Sequence, residues 1–504
     1  MMNMKNGLLK YLNNDRGSIL LISYFVVIVM LILGAAFVIL ATGESRVAER
    51  QRMTSLAFHI AEAGIERALY DLKQDFINDP PNPTWNDGDI NSMMIGPDTV
   101  NFYDVVDYTG TFSAINDGNF AVRFRNEGTD GMWIESTGTF GDAGQKILVY
   151  AKVFNVVPWK NAIFGGAGSA GAQVNGNVDI RGSVHILGDG LTSADFAIDL
   201  GGTSELIGNN YTGLDASLLA KVPALPQTIF NGETIDTLNA ELRVRTGIVG
   251  LSGSATAGDL DVFGNGFKET IDGSYVSDGF GGTQGIAAVH SDNGWSNSYD
   301  LGDALEFPTL SSGTQMADLK LNALVLTTEL NSITPSSSFT YSGPNGSISM
   351  TPAFGGTPAK MVITGIVFVD GDNDLNFSKS GSKKTIEYTG QGTIVVTGNA
   401  QINVNLVTEG SSSFPSNILG VMTPNNMEFN EANINVMGLF YAEDQITIKK
   451  QTDIMGTIMS NYFDMGTNVP SIYQVPETSE NLPPGMIASD PVWIMTIVSW
   501  QKIE

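Results

Sequence analysis

The stretch DRGSILLISYFVVIVMLILGAAFVILATGESR, residues 15 to 46, decides how the rest of the chain is read. From Ile19 to Ala41 it carries no formal charge, and these 23 residues would reach about 35 Å as a helix, enough for a hydrocarbon core of about 30 Å. The residues before it, MMNMKNGLLKYLNNDRG, carry Lys5, Lys10 and Arg16 against Asp15. The positive-inside rule keeps that end cytoplasmic and places everything after Ala41 outside. A secretory signal peptide has a shorter apolar core and a small-residue cleavage site after it. Here Arg16-Gly17-Ser18 stands before the apolar run.

Helical periodicity continues past the apolar run. Leu56, Ile60, Ala63, Ala68, Leu69, Leu72 and Phe76 mostly follow steps of three and four, while Arg46, Glu49, Arg50, Arg52, Glu62 and Glu66 supply a polar face. The pattern predicts one helix over 18–76, a rod of roughly 90 Å. It ends where Asn78-Asp79-Pro80-Pro81-Asn82-Pro83 forbids continuation. Three strands are expected next, Asn119 to Arg125, Met132 to Thr137 and Gln145 to Phe154, with Phe120, Val122 and Phe124 alternating against Arg123 and Arg125. Asp130-Gly131 reads as a turn between the first two.

A short basic leader, Gly17 directly before an apolar helix, and the segment Ala57-Phe58-His59-Ile60-Ala61-Glu62-Ala63-Gly64-Ile65-Glu66 together resemble a type IV prepilin signal and the N-terminal region of PilX-type minor pilins. They are more loosely similar to GspK-type pseudopilins. The resemblance covers about residues 10 to 75. It implies cleavage after Gly17 by a prepilin peptidase, with Ser18 as a mature and methylated N-terminus. It also implies partnership with other pilins through an assembly helix that includes Ala61, Glu62, Ala63, Gly64 and Glu66. The protein would then sit in the inner membrane by its N-terminal helix and reach a pilus or the cell surface after assembly. Most pilins have Glu at the fifth mature position; here that position is Ile22, as in the PilX and GspK groups, which argues against a major subunit repeating along a filament.

The fold class expected for the whole is α+β: leader 1–17, transmembrane and assembly helix 18–76, a small antiparallel β module 77–157, and a large mainly β, extracytoplasmic domain over 158–504. The last region is Gly-rich. Gly176-Asn177-Val178-Asp179-Ile180 and Gly182-Ser183-Val184-His185-Ile186 look like two beats of one pattern. Later Gly365, Gly392, Gly420, Gly438 and Gly456 each precede a short apolar strand, at steps of 27, 28, 18 and 18, with second beats at Asp374 to Phe377, Ala400 to Leu406, Asn426 to Phe429 and Gln445 to Ile448. Steps of one coil with two strands each suggest a parallel β-helix or other solenoid, the alternative being a β-sandwich. Pro491 to Trp500 reads as a strand closing one end.

A formal charge of −27 and a pI near 4.3 make nucleic acid an unfavourable partner. No cysteine is present, so disulfides and thiolate chemistry are excluded. Asp370-Gly371-Asp372-Asn373-Asp374-Leu375-Asn376 places oxygen ligands at alternate positions and is the best candidate Ca²⁺ loop, through Asp370, Asp372, Asp374 and Asn376. It departs from an EF-hand, because Leu375 replaces the turn Gly and Gly381 the final Glu; the same residues also make a polar turn between strands. Asp272 to Tyr275 with Ser291 to Trp295 could form a sugar-binding face or an ordinary Gly-rich loop. His59, His185 and His290 lack metal-ligand spacing, Gly166-Ala167-Gly168-Ser169-Ala170-Gly171 reads as a loop, not a nucleophile elbow, and no phosphate-binding loop occurs. With no nucleophile, base and orienting group to name, the reading is non-enzymatic and without a required cofactor. A minor pilin-like component at a filament tip or in assembly initiation, carrying a β domain for adhesion, is expected. The alternatives are a stand-alone membrane-anchored adhesin and a polysaccharide-active β-helix enzyme with paired Asp.

Overall fold

The computed structural model describes residues 15–78, 103–112, 118–126, 131–168, 173–174, 178–202, 205–295, 305–327, 329–371, 373–465, 470–487 and 492–503. Residues 1–14 of the leader and the Asp130 turn position lie outside them. The chain divides into two compact units, Met1–Asn155 with Trp493–Glu504, and Val156–Val492.

In the first unit helix α1 runs Asp15–Asn78, 64 residues or about 96 Å. Its last described residue is Asn78, and the expected breaker at 79–83 lies outside the described residues. Its two halves differ. Residues 19–52 are exposed throughout, and burial begins only beyond them. The buried stripe is Ala57, Ile60, Ala61, Ile65, Ala68 and Leu72, with Gly64 among them. The stripe expected from sequence is thus rotated: Leu56, Ala63 and Leu69 lie at its half-buried margin, and the side chain of Phe76 falls outside the described residues.

Against this stripe lies a five-stranded sheet in the order β1 (Tyr103–Phe112), β2 (Gly118–Asn126), β3 (Gly131–Phe140), β4 (Ala143–Val156) and the C-terminal strand Val492–Ile503. Pairing along β1 to β4 is antiparallel. Val122 and Phe124 face the helix together with Met132, Ile134, Ile147, Val149 and Ala151, forming one apolar core. Arg123, on the other face, pairs with Glu135. Two things differ from expectation: β1 is an additional strand, and the run expected to close the large domain instead hydrogen-bonds beside β4. An apolar strand needs a pairing edge of either kind, and its hydrophobicity alone does not select which.

In the second unit strands stack in parallel. One ladder runs, in spatial order, through Gly273–Val276, Glu241–Val244, Val184–Ile186, Ile163–Gly168, Thr452–Asp464, Ile434–Ile448, Ile418–Thr423, Gln391–Val396, Ala359–Val369 and Leu324–Leu326. Spatial order is therefore not chain order. The chain enters mid-stack at Ile163, builds outward to Val276, crosses to the far end near Leu324, and builds back until Ile458 pairs with Ile163. The second beats also stack in parallel, Leu375–Phe377 on Ala400–Ile402 and Asn426–Phe429 on the later part of Ile434–Ile448. Antiparallel pairing, which a β-sandwich would need throughout, appears among the described strands of this unit at Gln227–Asp236 and Phe339–Gly365. The two early beats at Asp179 and Val184 do not stack on each other; each joins a different ladder. Gly166 to Gly168, read as loop, belong to the strand Ile163–Gly168.

Many of these strands are buried on both faces, which explains their unbroken apolar runs. Returning segments cover the outer face. Phe307 stacks against Phe164 and Tyr441 at 6.2 and 5.9 Å, while Glu443 accepts the backbone N–H groups of Leu310 and Ser311 at 2.6 and 2.7 Å. Trp159 donates from Nε1 to the Ile487 carbonyl at 2.7 Å.

Candidate functional site

The residues of the expected assembly helix fall into two groups. Ala61 and Gly64 face inward, where their small size sets the distance between helix and sheet. A Cβ on Gly138 of β3 would lie 2.1 Å from the Ala57 carbonyl oxygen and 2.4 Å from the Ala61 nitrogen, and one on Gly64 would lie 2.3 Å from Ser136 Oγ. Glu62, Ala63 and Glu66 turn away from that contact; Glu62 pairs with His59 at 2.8 Å and Glu66 is exposed. Sequence reading missed the inward role of Ala57 and Ala61, although small residues four apart, with Gly64 three further on, were the available signal.

Ile22 lies 59% exposed within the apolar half, which also exposes Leu20, Phe25, Leu31 and Phe37. This segment is long and apolar enough to cross a membrane. Gly17 and Ser18 fall within α1, whose first described residue is Asp15. Beyond the exposed half, Phe58 of α1 meets Trp500 of the C-terminal strand edge-on at 5.7 Å, and Lys502 Nζ stands 5.7 Å from the Phe58 ring centre. Val47, Arg50 and Gln51 extend this contact into an open groove.

The acidic loop of the large unit is already engaged. Asp370 pairs with Lys320 at 2.6 Å, and that hydrogen bond holds its carboxyl below the usual range. Asp374 accepts from the Asn399 backbone at 2.7 Å and from its amide at 3.1 Å. Asn376 sits within the strand Leu375–Phe377, and Asp372 lies outside the described residues. A cation there would have to displace these partners. Among the described residues no group of three or more His, Asp or Glu side chains converges on one point.

In the second cluster Asp272 to Tyr275 are buried or half-buried, whereas Asp292 to Trp295 are exposed. Lys268, 3% exposed, pairs with Asp272 at 2.8 Å and with Asp292, and lies 4.8 Å from the Phe230 ring centre. Asn293 Oδ1 accepts from the Ser274 N–H at 3.2 Å and the Ser291 hydroxyl at 2.6 Å. Arg243 covers the Tyr275 ring at 5.1 Å. Of the residues expected to present a sugar-binding face, Asp272 and Asp292 hold a buried lysine, while Trp295 is exposed. Of the three histidines, His185 is fully buried, and burial, with Arg243 and Arg245 nearby, pushes its imidazole well below the usual range.

No family model and no curated protein matches the sequence. Among solved structures the chain is similar to the competence-associated pilin ComZ from Thermus thermophilus, at 17% identity and a TM-score of 0.51, over 90% of this chain and 97% of that one. The long apolar N-terminal helix, the small antiparallel sheet packed on it and the large mainly β unit together have a type IV pilin-like fold.

Proposed function

We propose that the protein is a minor subunit of a type IV pilus or related filament, of PilX-like kind, held in the inner membrane by α1 until assembly. The observation that carries this reading is the division of α1. One half is an exposed apolar rod with no partner among the described residues, and the other is wedged against a sheet through Ala57, Ala61 and Gly138. Exposed apolar surface of that extent needs lipid or neighbouring helices to cover it. In this reading prepilin peptidase cuts after Gly17 and leaves Ser18 at the mature N-terminus. The residues after 157 form a solenoid-like domain that acts in adhesion or interaction, and the subunit is structural, not catalytic. Its place is the filament tip or the initiation of assembly, because the bulk of Val156–Val492 leaves little room for dense repetition along a shaft.

Immunogold labelling of sheared filaments tests the proposal: label at one end supports it, and label along the length refutes the tip position. Absence from filaments, with the protein retained in the membrane, favours a lone surface anchor, to which the same exposed helix would also be suited. Mass spectrometry of the exported protein should give Ser18 as first residue; an uncut Met1 or a terminus beyond Ala41 rules out the processing step. Ile22→Glu should preserve export but alter filament number or length.

A further inference from the structure

Although the chain carries −27 overall, one corner of the large unit is cationic. Where the coils turn after Leu375–Phe377, Ala400–Ile402, Asn426–Phe429 and Ile446 to Ile448, the successive turns stack above one another. The first of these turns carries Lys379, Lys383 and Lys384, and the last carries Lys449 and Lys450, all exposed. Between them lie two turns, so the lysine groups are three coil steps apart, about 14 Å at ~4.8 Å per step. Lys379 and Lys449 are matched by Glu431 and Glu428 at 2.9 and 3.1 Å. Lys383 and Lys384 donate instead to the neutral carbonyls of Ala353 and Asn433, at 2.7 and 3.0 Å. One step before them the turn Ala353 to Thr357 carries Phe354, 86% exposed, directly beside the lysine that bonds Ala353. In the sequence Glu387 follows Lys384 and Asp453 follows Lys450, each by three residues, and Asp453 is partnered by Ser471.

We propose that this ridge binds an acidic polysaccharide, a uronate-bearing chain laid along the stacked turns with a sugar ring against Phe354. Charge density favours such a chain over duplex DNA. DNA carries one charge per about 1.7 Å and would meet the repulsion of the whole acidic protein. A polymer with carboxylates spaced by sugar rings matches lysine groups set three steps apart, between which Glu428 and Glu431 are each already paired with a lysine. Phe354 supplies an apolar face to a ring, as an exposed aromatic at the end of a polar strip can. The ridge lies wholly within Val156–Val492, so the proposal stands whether or not the chain enters a filament.

The test uses the full chain in nonionic detergent with labelled polygalacturonate, and neutral dextran and duplex DNA as comparators. Polygalacturonate should bind at low salt and be released as salt rises, and dextran should not bind. Lys383→Gln with Lys384→Gln and Lys450→Gln should weaken binding by roughly tenfold or more, Phe354→Ala by less, and Lys320→Gln, on a different surface and paired with Asp370, should leave it unchanged. In the wild-type chain, bound polygalacturonate should protect Lys383, Lys384 and Lys450 from acetylation, a readout that does not depend on how the variants fold. No binding at low salt, unchanged binding by the triple variant, absence of protection, or tighter binding of duplex DNA would each overturn the proposal.

Discussion

The two arms of the large unit use the same parallel pairing and reach it by different chemistry. In the late arm, Leu324 to Asp464, apolar side chains stack on their own kind, as where Val367, Ile394, Val421, Phe440 and Ile458 follow one another across the ladder. In the early arm, Ile163 to Val276, strands of three or four residues predominate, and the neighbouring ladder positions bring Phe164, His185, Arg243 and Tyr275 together. Apolar stacking repeats with a regular period because any aliphatic residue satisfies it. Polar burial requires a particular partner at each level, as with Lys268 and its two carboxylates, so the period is lost. One architecture is thus legible in one arm and hidden in the other.

The largest test of this contrast is Phe440→Ala. Phe440 is fully buried and meets Phe429 edge-on at 5.5 Å, so its loss should cost about 3–5 kcal/mol in chemical unfolding. A cost below about 1 kcal/mol would mean that the late arm is not held by its apolar ladder.

The junction between the arms should come next. Gln474, 4% exposed, donates to the Lys160 carbonyl at 2.6 Å and accepts from the Ser183 N–H at 2.7 Å. Gln474→Leu leaves both groups unpaired, for a cost of about 2–4 kcal/mol. Amide exchange should rise around Ser183 while the late arm stays protected; a uniform rise would show that the arms unfold as one.

Acidification should act chiefly on the early arm. The folded-state pKa of His185 is depressed by burial and by Arg243 and Arg245, so the unfolded chain takes up its proton first, near the ordinary value of about 6.5. The stability contributed by neutral His185 is present above that pH and is lost as pH falls below it, by up to about 1.4 kcal/mol per pH unit. His185→Phe should flatten this slope in thermal melts between about pH 6.5 and 5. An unchanged slope would assign the acid sensitivity to other groups.

The smallest effect belongs to the exposed pair Lys320–Asp370 of the late arm. Lys320→Met should cost less than about 1 kcal/mol, and a larger loss would show that this arm, too, depends on specific charges.

Legibility followed the same division. The Gly steps marked strands that pair in parallel: Gly365 pairs with Gly392 and Gly438 with Gly456. Gly420 is one residue out of line, since it opposes Thr393 and Leu439. The candidate sites were less legible, because acidic and amide side chains in a Gly-rich loop look alike whether they face a ligand or a neighbouring turn. Asp370 found Lys320, 50 residues away, and Asp272 found Lys268. The cationic corner was invisible for a related reason: Lys383 and Lys450 are far apart in the chain and are brought to one ridge by the stacking of turns.

By itself the sequence determined the membrane-length apolar helix, the three strands β2 to β4 and the regular late strands. Each of these rests on local chemistry, namely charge absence and side-chain periodicity. Only the tertiary structure decided that Val492–Ile503 joins the first sheet, that the chain enters its parallel stack in the middle, and that Ala57 and Ala61 receive Gly138. Those outcomes depend on which unpaired edge or small-residue surface finds a partner across a long loop, and that choice is made by pairing and packing among distant segments, which no local window contains.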